Sequence, residues 1–260
     1  MTGRAAGELT AITHLPSPHM ERGERTYLGA EPIDVGLALQ QHAAYRDALA
    51  ACGARVVTLD ANCDLADCAF VEDTAIVLDE AAIVMSMGAA SRRAELTLIA
   101  EALAAYREVR RITLPARIDG GDVVRAGWSL FVGASSRTDD EGFRALHDIV
   151  RPLGYHLTAV PVRGCLHLKT ACSALPDGRF LVNPEWIDVV PLAGSQLLPV
   201  PAAEPWAADL LPIGGEIVLP DGFPATVELL EREGFTTRSV PLSEFAKAEA
   251  GVTCLSLVIT

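Results

Sequence analysis

The 260-residue sequence lacks any run of about 20 consecutive apolar residues, the length that a membrane-spanning helix requires. Its first eight residues, MTGRAAGE, also lack the apolar segment of a secretory signal peptide. These two absences predict a cytoplasmic protein that has no membrane partner.

Basic residues are scarce, with 21 Lys and Arg against 34 Asp and Glu and a formal net charge of −13. A nucleic-acid-binding protein would instead show a basic patch, so no nucleic-acid partner is predicted. An acidic cleft would attract a small cationic ligand. The same charge would equally suit a soluble acidic protein without such a cleft, because net charge does not define a site.

The six cysteines form no CxxC pair and are too few for a disulfide framework in a chain of this length. Cys165, His167 and Cys172 lie close together, but their spacing matches no common zinc motif. The sequence also shows no nucleotide-binding loop. It therefore predicts no metal and no organic cofactor, and it favours a reducing compartment.

Apolar residues make up 50% of the chain and no linker divides it, so residues 1–260 are predicted to form a single domain. Short β-branched runs alternate with amphipathic stretches, which is typical of an α/β fold. Gly53, Gly154 and Gly234 lie where three of the helices should end. Helices are predicted at 36–52, 92–108, 139–153 and 224–233.

Strands are predicted mainly where β-branched and apolar residues cluster between turn residues. The Pro-rich stretch 191–212 is interpreted as an irregular unit with a strand at 195–200. The other predicted strands are 55–59, 74–78, 82–85, 123–125, 129–132, 180–182, 216–219, 235–240 and 255–259.

Five notable loop residues recur at similar intervals. Asp73, Asp122, His167, Pro212 and Cys254 are separated by 49, 45, 45 and 42 residues. Each interval can hold a hairpin, a helix or long connection, and a return strand. Such a period predicts a repeated unit around an axis, whose equivalent strand ends meet in one cleft. The alternative is that about 45 residues is simply a common length for an α/β unit.

Cys254 is a candidate nucleophile because the predicted repeat would bring an imidazole and several carboxylates to it. A thiol, a histidine base and an acid that orients the base form a recurrent catalytic arrangement. Several anions around a thiol suit a cationic guanidinium better than an ordinary carbonyl group. The pattern therefore predicts attack by Cys254 on a guanidinium carbon.

Six segments together resemble the dimethylarginine dimethylaminohydrolase family of the guanidino-group modifying pentein superfamily. They are DCAFVEDT at 67–74, SRRAE at 91–95, DGGD at 119–122, SRT at 136–138, CLHLK at 165–169 and GVTCLS at 251–256. Their order and spacing extend the resemblance from residue 12 to residue 259. The resemblance implies a pentein fold, which is a five-fold pseudosymmetric α/β propeller.

The resemblance makes Cys254 the nucleophile and His167 the group that protonates the leaving amine and later activates water. Asp119 stands where the family usually has Glu, and it would orient His167 with a side chain one methylene shorter. Asp122, at the other end of the same loop, is interpreted as a structural residue that accepts bonds from turn N–H groups.

The resemblance also implies five substrate-binding residues. Asp73, with Glu72 beside it, would accept N–H bonds from the guanidinium. Arg92 and Arg137 would bind the carboxylate of an arginine-like substrate. Asp67 would bind its α-ammonium. Two structural alternatives stay open, Asp73 as the cap of a turn and Arg92 as a surface helix residue.

Related deiminases and amidinotransferases carry His-x-Asp, in which the Asp is a second guanidinium clamp, whereas Lys169 occupies that position here. A single clamp suits a methylated guanidinium, which has fewer N–H donors and more bulk. The resemblance thus implies a cysteine hydrolase that converts N-ω-methylated arginines to citrulline and dimethylamine or methylamine through a covalent thiouronium. The small arginine derivative would be its partner, and the protein would be a monomer or homodimer.

Two other functions stay open. One is an arginine deiminase-like or amidinotransferase-like enzyme, and the other is a non-catalytic pentein binding module. The sequence departs from the family at Glu249-Ala250-Gly251, where Gly-Gly is frequent, and in the lid-like stretch 15–23. Lids gate such sites and often contact the substrate, so these departures bear on substrate choice.

Overall fold

The computed structural model describes residues 8–29 and 31–260, so most of the N-terminal octapeptide used to predict localisation lies outside it. None of the helices in these two ranges has both the length and the hydropathy of a membrane-spanning segment. The helices are α1 (Val35–Ala51), α2 (Leu96–Ala104), α3 (Asp140–Val150), α4 (Leu168–Ala171), α5 (Pro224–Arg232) and α6 (Ser243–Ala246).

Fifteen short strands occur in the same ranges, and ten of them overlap strands predicted from the sequence. They are β1 (Thr10–His14), β2 (Arg55–Leu59), β3 (Ala75–Val77), β4 (Ala81–Val84), β5 (Glu108–Arg111), β6 (Val123–Ala126), β7 (Ser129–Ala134), β8 (His156–Pro161), β9 (Cys172–Ala174), β10 (Phe180–Val182), β11 (Leu197–Pro199), β12 (Leu211–Ile213), β13 (Glu216–Pro220), β14 (Thr237–Val240) and β15 (Leu257–Ile259).

The strands form five three-stranded sheets with one topology. In each sheet two strands pair antiparallel, and a crossover then adds a third strand parallel to the middle one, as in β3-β4-β5. The last sheet joins the two ends of the chain, because β15 pairs antiparallel with β1 and β1 pairs parallel with β2. This repeat confirms the five-fold α/β propeller.

Helices cross between the parallel strands in four of the five sheets, as α1, α2, α3 and α5 do. Between β10 and β11 the described chain has only a short 3₁₀ helix, Val190–Leu192. Prolines at 184 and 191 disfavour a regular helix in this connection. The predicted irregular unit is therefore confirmed, and β11 lies within the strand predicted at 195–200.

The boundaries of the second helix were predicted wrongly. The helix expected at 92–108 begins as a 3₁₀ segment, Ala90–Glu95, continues as α2 and ends at Ala104. Residues Glu108–Arg111 then form β5, which pairs parallel with β4. Local helix propensity made the predicted helix too long, because strand pairing determines the structure of this charged segment.

Pro212 was predicted to be one of five recurring loop residues, and this prediction is wrong. It lies within β12 and is paired with Ile217 of β13. A proline is tolerated there because β12 is an edge strand. The residue of this sheet that corresponds to Asp73 is Asp209, since each lies two residues before the first strand of its sheet.

Three helix ends agree with the sequence. Gly53, Gly154 and Gly234 have φ of 87°, 95° and 91°, the left-handed conformation that glycine adopts without a Cβ penalty. Each ends a helical segment that packs on its sheet, and the next parallel strand follows. The glycines therefore set where the chain turns back toward the propeller.

The first strand of every sheet faces the centre of the molecule. Residues of β3, β6, β9, β12 and β15 line a common central channel. The turns that precede these strands consequently meet at one end of the channel. This convergence brings together side chains that are far apart in sequence.

Candidate active site

Four of these turns, each directly before a channel-lining strand, carry or directly follow Asp73, Asp119, His167 and Cys254. They are the 3₁₀ segments Val71–Thr74, Gly120–Asp122 and Thr253–Leu255 and the single helical turn α4. Glycines permit their close approach. A Cβ on Gly120 would lie 2.2 Å from the Glu72 carbonyl oxygen, and one on Gly121 would lie 2.7 Å from His167 Nδ1.

One cavity brings six of the predicted site residues together. They share it with an apolar wall and with two acids from elsewhere in the chain. The predicted residues that line it are Asp67, Asp73, Arg92, Arg137, His167 and Cys254. The other lining residues are Glu24, Phe70, Leu166, Ala248, Glu249 and Ala250.

Asp119 lies behind His167 and accepts a bond from it, with 3.1 Å between Nε2 and Oδ2. Its other oxygen accepts the backbone N–H of Gly88 at 2.7 Å. Burial alone would raise the pKa of Asp119, but the bond to His167 lowers it below the ordinary value. The loop that carries Asp119 lies so close to His167 that the shorter aspartate side chain reaches it.

His167 is buried among carboxylates. Burial would lower its pKa, but Asp73, Asp119 and Asp122 raise it to about 9. The second ring nitrogen, Nδ1, lies 3.6 Å from Asp73 Oδ1. At neutral pH the free site thus holds an imidazolium, which can donate a proton to a leaving group.

Asp73 presents one free oxygen to the cavity. Its Oδ2 accepts a bond of 2.5 Å from Arg92 Nη1. Its Oδ1 is buried and has no hydrogen-bond partner within the described part of the chain. An unpaired buried acceptor is costly, so this oxygen is suited to receive an N–H group of a ligand.

Arg92 is fully engaged with the protein. Its guanidinium pairs with Glu95 at 2.8 Å, bonds the Phe70 carbonyl at 2.9 Å and holds Asp73. It is 4% exposed, so the alternative that it is a surface helix residue is wrong. Its binding of a substrate carboxylate stays a prediction, and its visible role is to orient Asp73.

Arg137 differs from Arg92 because its guanidinium makes no hydrogen bond to a described residue. Its nearest acids are Glu24 Oε2 at 3.9 Å and Asp119 Oδ2 at 4.0 Å. Its N–H groups can therefore bind an incoming carboxylate in the bidentate geometry that arginine favours. Asp67 lies in the same cavity and accepts the Glu24 backbone N–H at 3.2 Å.

Glu72 does not line this cavity. It pairs with Lys169 through Oε1, and both residues line the central channel. Lys169 also donates a bond of 3.1 Å to the Gly120 carbonyl. Glu72 Oε2 is buried and has no partner among the residues described, so its contact with substrate stays a prediction.

Cys254 is held as a neutral thiol in the free site. Burial, and after it the charges of Asp209 and Asp73, raise its pKa far above the ordinary value of a thiol. The Gly251 N–H and Lys169 oppose this shift. Because anions disfavour the thiolate, a bound cation would favour it.

Asp122 has the structural role predicted for it. It is fully buried and accepts bonds from Ser135 Oγ at 2.5 Å, Thr138 Oγ1 at 2.6 Å and the Leu168 N–H at 3.0 Å. It thereby ties the loop of Asp119 to the turn that carries His167.

Asp209 was not predicted as a site residue. This buried carboxylate accepts the Thr253 N–H and the Thr253 hydroxyl, each at 3.0 Å, and so holds the turn that carries Cys254. A Cβ on Gly251 would lie 2.4 Å from its Cγ, so the approach requires glycine. Its position two residues before β12, equivalent to that of Asp73, is the signal that would have identified it.

Glu249 was also missed as a functional residue. Its Oε1 accepts the backbone N–H groups of Thr26, Tyr27 and Leu28 at 2.7, 2.5 and 2.7 Å. Its φ of 61° is unusual for a residue other than glycine and indicates a backbone held by its surroundings. Residues 24–28, named here the closing segment, thus meet the cavity at Glu24 and are fixed to its wall by Glu249, just beyond the lid predicted at 15–23.

We expect Asp209→Asn to stabilise the protein above pH 6. Burial raises the pKa of Asp209 from 3.8 to about 6, so deprotonation costs folding free energy. This cost is absent below about pH 4, grows between pH 4 and 6, and is on the order of 3 kcal/mol above that range. Asn keeps an acceptor for the Thr253 N–H without the charge. Urea unfolding at pH 4 to 8 measures the difference.

The control for this prediction is Asp148→Asn, which removes an equal charge from an exposed side chain of α3. That variant should follow the wild-type pH dependence of unfolding free energy. An Asp209→Asn protein that is equally destabilised at every pH would contradict the expected ionisation cost.

Comparison with known proteins yields relatives along nearly the whole chain. No family model matches the sequence. A protein of Streptomyces coelicolor named N(G),N(G)-dimethylarginine dimethylaminohydrolase is 39% identical over 249 residues, or 95% of each chain. One of the same name from Pseudomonas aeruginosa is 31% identical, over 86% of this chain and 89% of its own.

Solved structures agree with these relatives. The dimethylarginine dimethylaminohydrolase of Pseudomonas aeruginosa in complex with citrulline has a TM-score of 0.89 and 29% identity, covering 96% of this chain and 98% of its own. An adduct of such an enzyme with S-methyl-L-thiocitrulline has a TM-score of 0.91 and 30% identity, covering 96% and 99%. The similarity therefore includes both sequence and fold.

Proposed function

The chain belongs to the dimethylarginine dimethylaminohydrolase family, and we propose that it hydrolyses N-ω-methylated arginines to citrulline and dimethylamine or methylamine. One structural relative binds citrulline and another forms an adduct with S-methyl-L-thiocitrulline. Both ligands carry the amino-acid end and the planar terminal carbon that this reaction requires.

The free oxygen of Asp73 is the observation that carries the proposal. It is buried, unpartnered among the described residues and 3.6 Å from His167, in the cavity that Cys254 also lines. A guanidinium N–H donated to Oδ1 would satisfy this acceptor and place the guanidinium carbon beside the thiol and the imidazolium.

The bound guanidinium would then activate the nucleophile. Its positive charge offsets the repulsion from Asp73 and Asp209 that keeps Cys254 protonated. The thiol proton passes to solvent, and the sulfur bonds to the guanidinium carbon to give a tetrahedral intermediate. Substrate binding and nucleophile activation are thus one event in this proposal.

His167 would serve both halves of the reaction. As an imidazolium it protonates the methylated nitrogen, the C–N bond breaks, and dimethylamine or methylamine leaves a thiouronium on Cys254. The neutral imidazole then takes a proton from water as the water oxygen bonds to the same carbon. Breaking of the C–S bond releases citrulline, and the thiol regains a proton.

The two ends of the cavity match the two ends of the substrate. Arg137 has free N–H groups for the α-carboxylate, and Asp67 lies near for the α-ammonium. At the reacting end, Phe70, Leu166 and Ala248 supply an apolar wall for N-methyl groups. Lys169 is paired with Glu72, so that position offers no second acid to select unmethylated arginine.

We further propose that residues 1–260 act as one catalytic domain, a view supported by the sheet that joins the terminal strands β1 and β15. A cytoplasmic location and a monomeric or homodimeric state stay predictions that rest on the sequence and on the resemblance. The proposed chemistry requires neither a metal nor an organic cofactor.

The proposal is tested by incubating the purified protein with asymmetric dimethylarginine, monomethylarginine and arginine in parallel. We expect citrulline from the two methylated compounds and at least about tenfold less from arginine, because one clamp and an apolar wall favour methylated nitrogen. Citrulline is measured colorimetrically and the released amine by chromatography. Citrulline formed mainly from arginine would instead identify a deiminase.

A further inference from the structure

The closing segment places a carboxylate in the part of the cavity assigned to the substrate's amino-acid end. Glu24 Oε2 lies 3.9 Å from Arg137 Nη2, and Glu24 Oε1 accepts a bond from the Ser91 hydroxyl. The backbone N–H of Glu24 is bonded to both oxygens of Asp67 at 3.2 Å. Glu24 itself lines the cavity with His167.

These contacts place protein groups where the two ends of a bound amino acid would lie. A donor N–H occupies Asp67, the residue assigned to the α-ammonium. A carboxylate faces Arg137, the residue assigned to the α-carboxylate. On this basis, which rests on the proposed function, we propose that Glu24 is an internal competitor for the amino-acid end of the substrate.

The surrounding structure holds Glu24 in this place. A Cβ on Gly23 would lie 2.4 Å from Asp67 Oδ1, so the approach of the chain to Asp67 requires glycine. On the other side, Glu249 fixes residues 26 to 28 through three backbone N–H groups. The competitor is therefore positioned by the fold, and its side-chain carboxylate must move away from Arg137 when a substrate carboxylate binds.

Charge makes the competition unavoidable. Two carboxylates that share one arginine repel each other, so substrate binding must weaken the contact between Glu24 and Arg137. The Glu24 side chain is 42% exposed, and an ion pair at such a site contributes at most about 1 kcal/mol, or about fivefold in affinity. Glu24 consequently sets the affinity for the amino-acid end and leaves the reacting atoms untouched.

The test compares Glu24→Gln with the wild type in steady-state hydrolysis of asymmetric dimethylarginine. We expect KM to fall about two- to fivefold with little change in kcat. Glu31→Gln is the matched control, because it removes the same charge from an exposed residue outside both the lid predicted at 15–23 and the closing segment, and its KM should equal that of the wild type. An unchanged or higher KM in Glu24→Gln would overturn the proposal, a higher value indicating that Glu24 binds the ammonium.

A double-variant cycle separates competition at Arg137 from a general charge effect. In an Arg137→Ala background, Glu24→Gln should no longer change KM, because the shared arginine is gone. The same fall in KM in that background would contradict the proposed route through Arg137. A dimethylated agmatine, which lacks the carboxylate, should likewise show no gain with Glu24→Gln.

Binding to the Cys254→Ser protein distinguishes this inference from the proposed function. Calorimetric titration with citrulline needs no turnover, and Glu24→Gln should tighten that binding by the same factor. If no methylated arginine were hydrolysed and this tightening were still observed, the function would fail and the inference would stand. If methylated arginines were hydrolysed but Glu24→Gln did not bind citrulline more tightly, the function would stand and the inference would fail.

Discussion

Replacement of Cys254 by Ser is expected to lower kcat for dimethylarginine by about 10,000-fold or more, because a hydroxyl cannot supply a comparable nucleophile. The change removes a polarisable sulfur and alters the volume of the site only slightly. Substrate affinity should persist, since Asp73, Arg137 and Asp67 are unchanged. Single-turnover assays of citrulline and calorimetric binding measure the two effects separately.

The matched control for this variant is Cys63→Ser. Cys63 is a partly exposed thiol that donates to the Asp60 carbonyl at 2.9 Å and does not line the cavity. Its replacement should leave kcat within about twofold of the wild type, as surface changes usually do. Retained turnover in Cys254→Ser would remove Cys254 as the nucleophile. A covalent mass increase on Cys254 during wild-type turnover would support it directly.

Replacement of His167 by Ala is expected to lower kcat by about 100- to 10,000-fold, the usual contribution of a general acid and base. The same group would protonate the leaving amine and deprotonate water, so both half-reactions should slow. Because neighbouring carboxylates raise the pKa of His167 to about 9, the wild-type imidazolium is present below that pH and lost above it. A limb of kcat/KM that falls near pH 9 should therefore disappear in His167→Ala.

His156→Ala is the control for this second variant, because His156 is exposed at the start of β8. It should keep the wild-type rate and pH profile. A His167→Ala protein with an unchanged profile would assign the limb to another group. The same pKa shift makes the folding stability depend on pH. Because the pKa of His167 is raised from 6.5, its protonation stabilises the folded protein fully below pH 6.5, and this contribution is lost as pH rises through 9.

Much of the fold was predictable from local signals. Helices α3 and α5 follow from hydrophobic periodicity, and the glycines that end α1, α3 and α5 follow from turn chemistry. Strand β5 was not predictable, because its residues Glu108–Arg111 are charged and its conformation comes from pairing with β4. The short strand β9 likewise lacks any local strand signal beyond its place in the sheet.

The candidate site shows the same division. The residue types at Cys254, His167, Asp73 and Arg137 were identifiable, and the structure brings them to one cavity. Apart from Asp119, which was predicted to orient His167, their partners were not identifiable. The pairing with Lys169, for example, directs Glu72, a predicted substrate-binding residue, toward the central channel.

Residue identity and spacing along the chain suffice to predict the repeat, a candidate nucleophile and a cationic substrate. Which polar groups are already satisfied depends on the folded structure. Arg92 is bonded to Asp73 and Glu95, whereas Arg137 has no such bond, and the sequence shows two equivalent arginines. The physical reason is that a buried group's free donors and acceptors depend on neighbours that the fold supplies from distant segments.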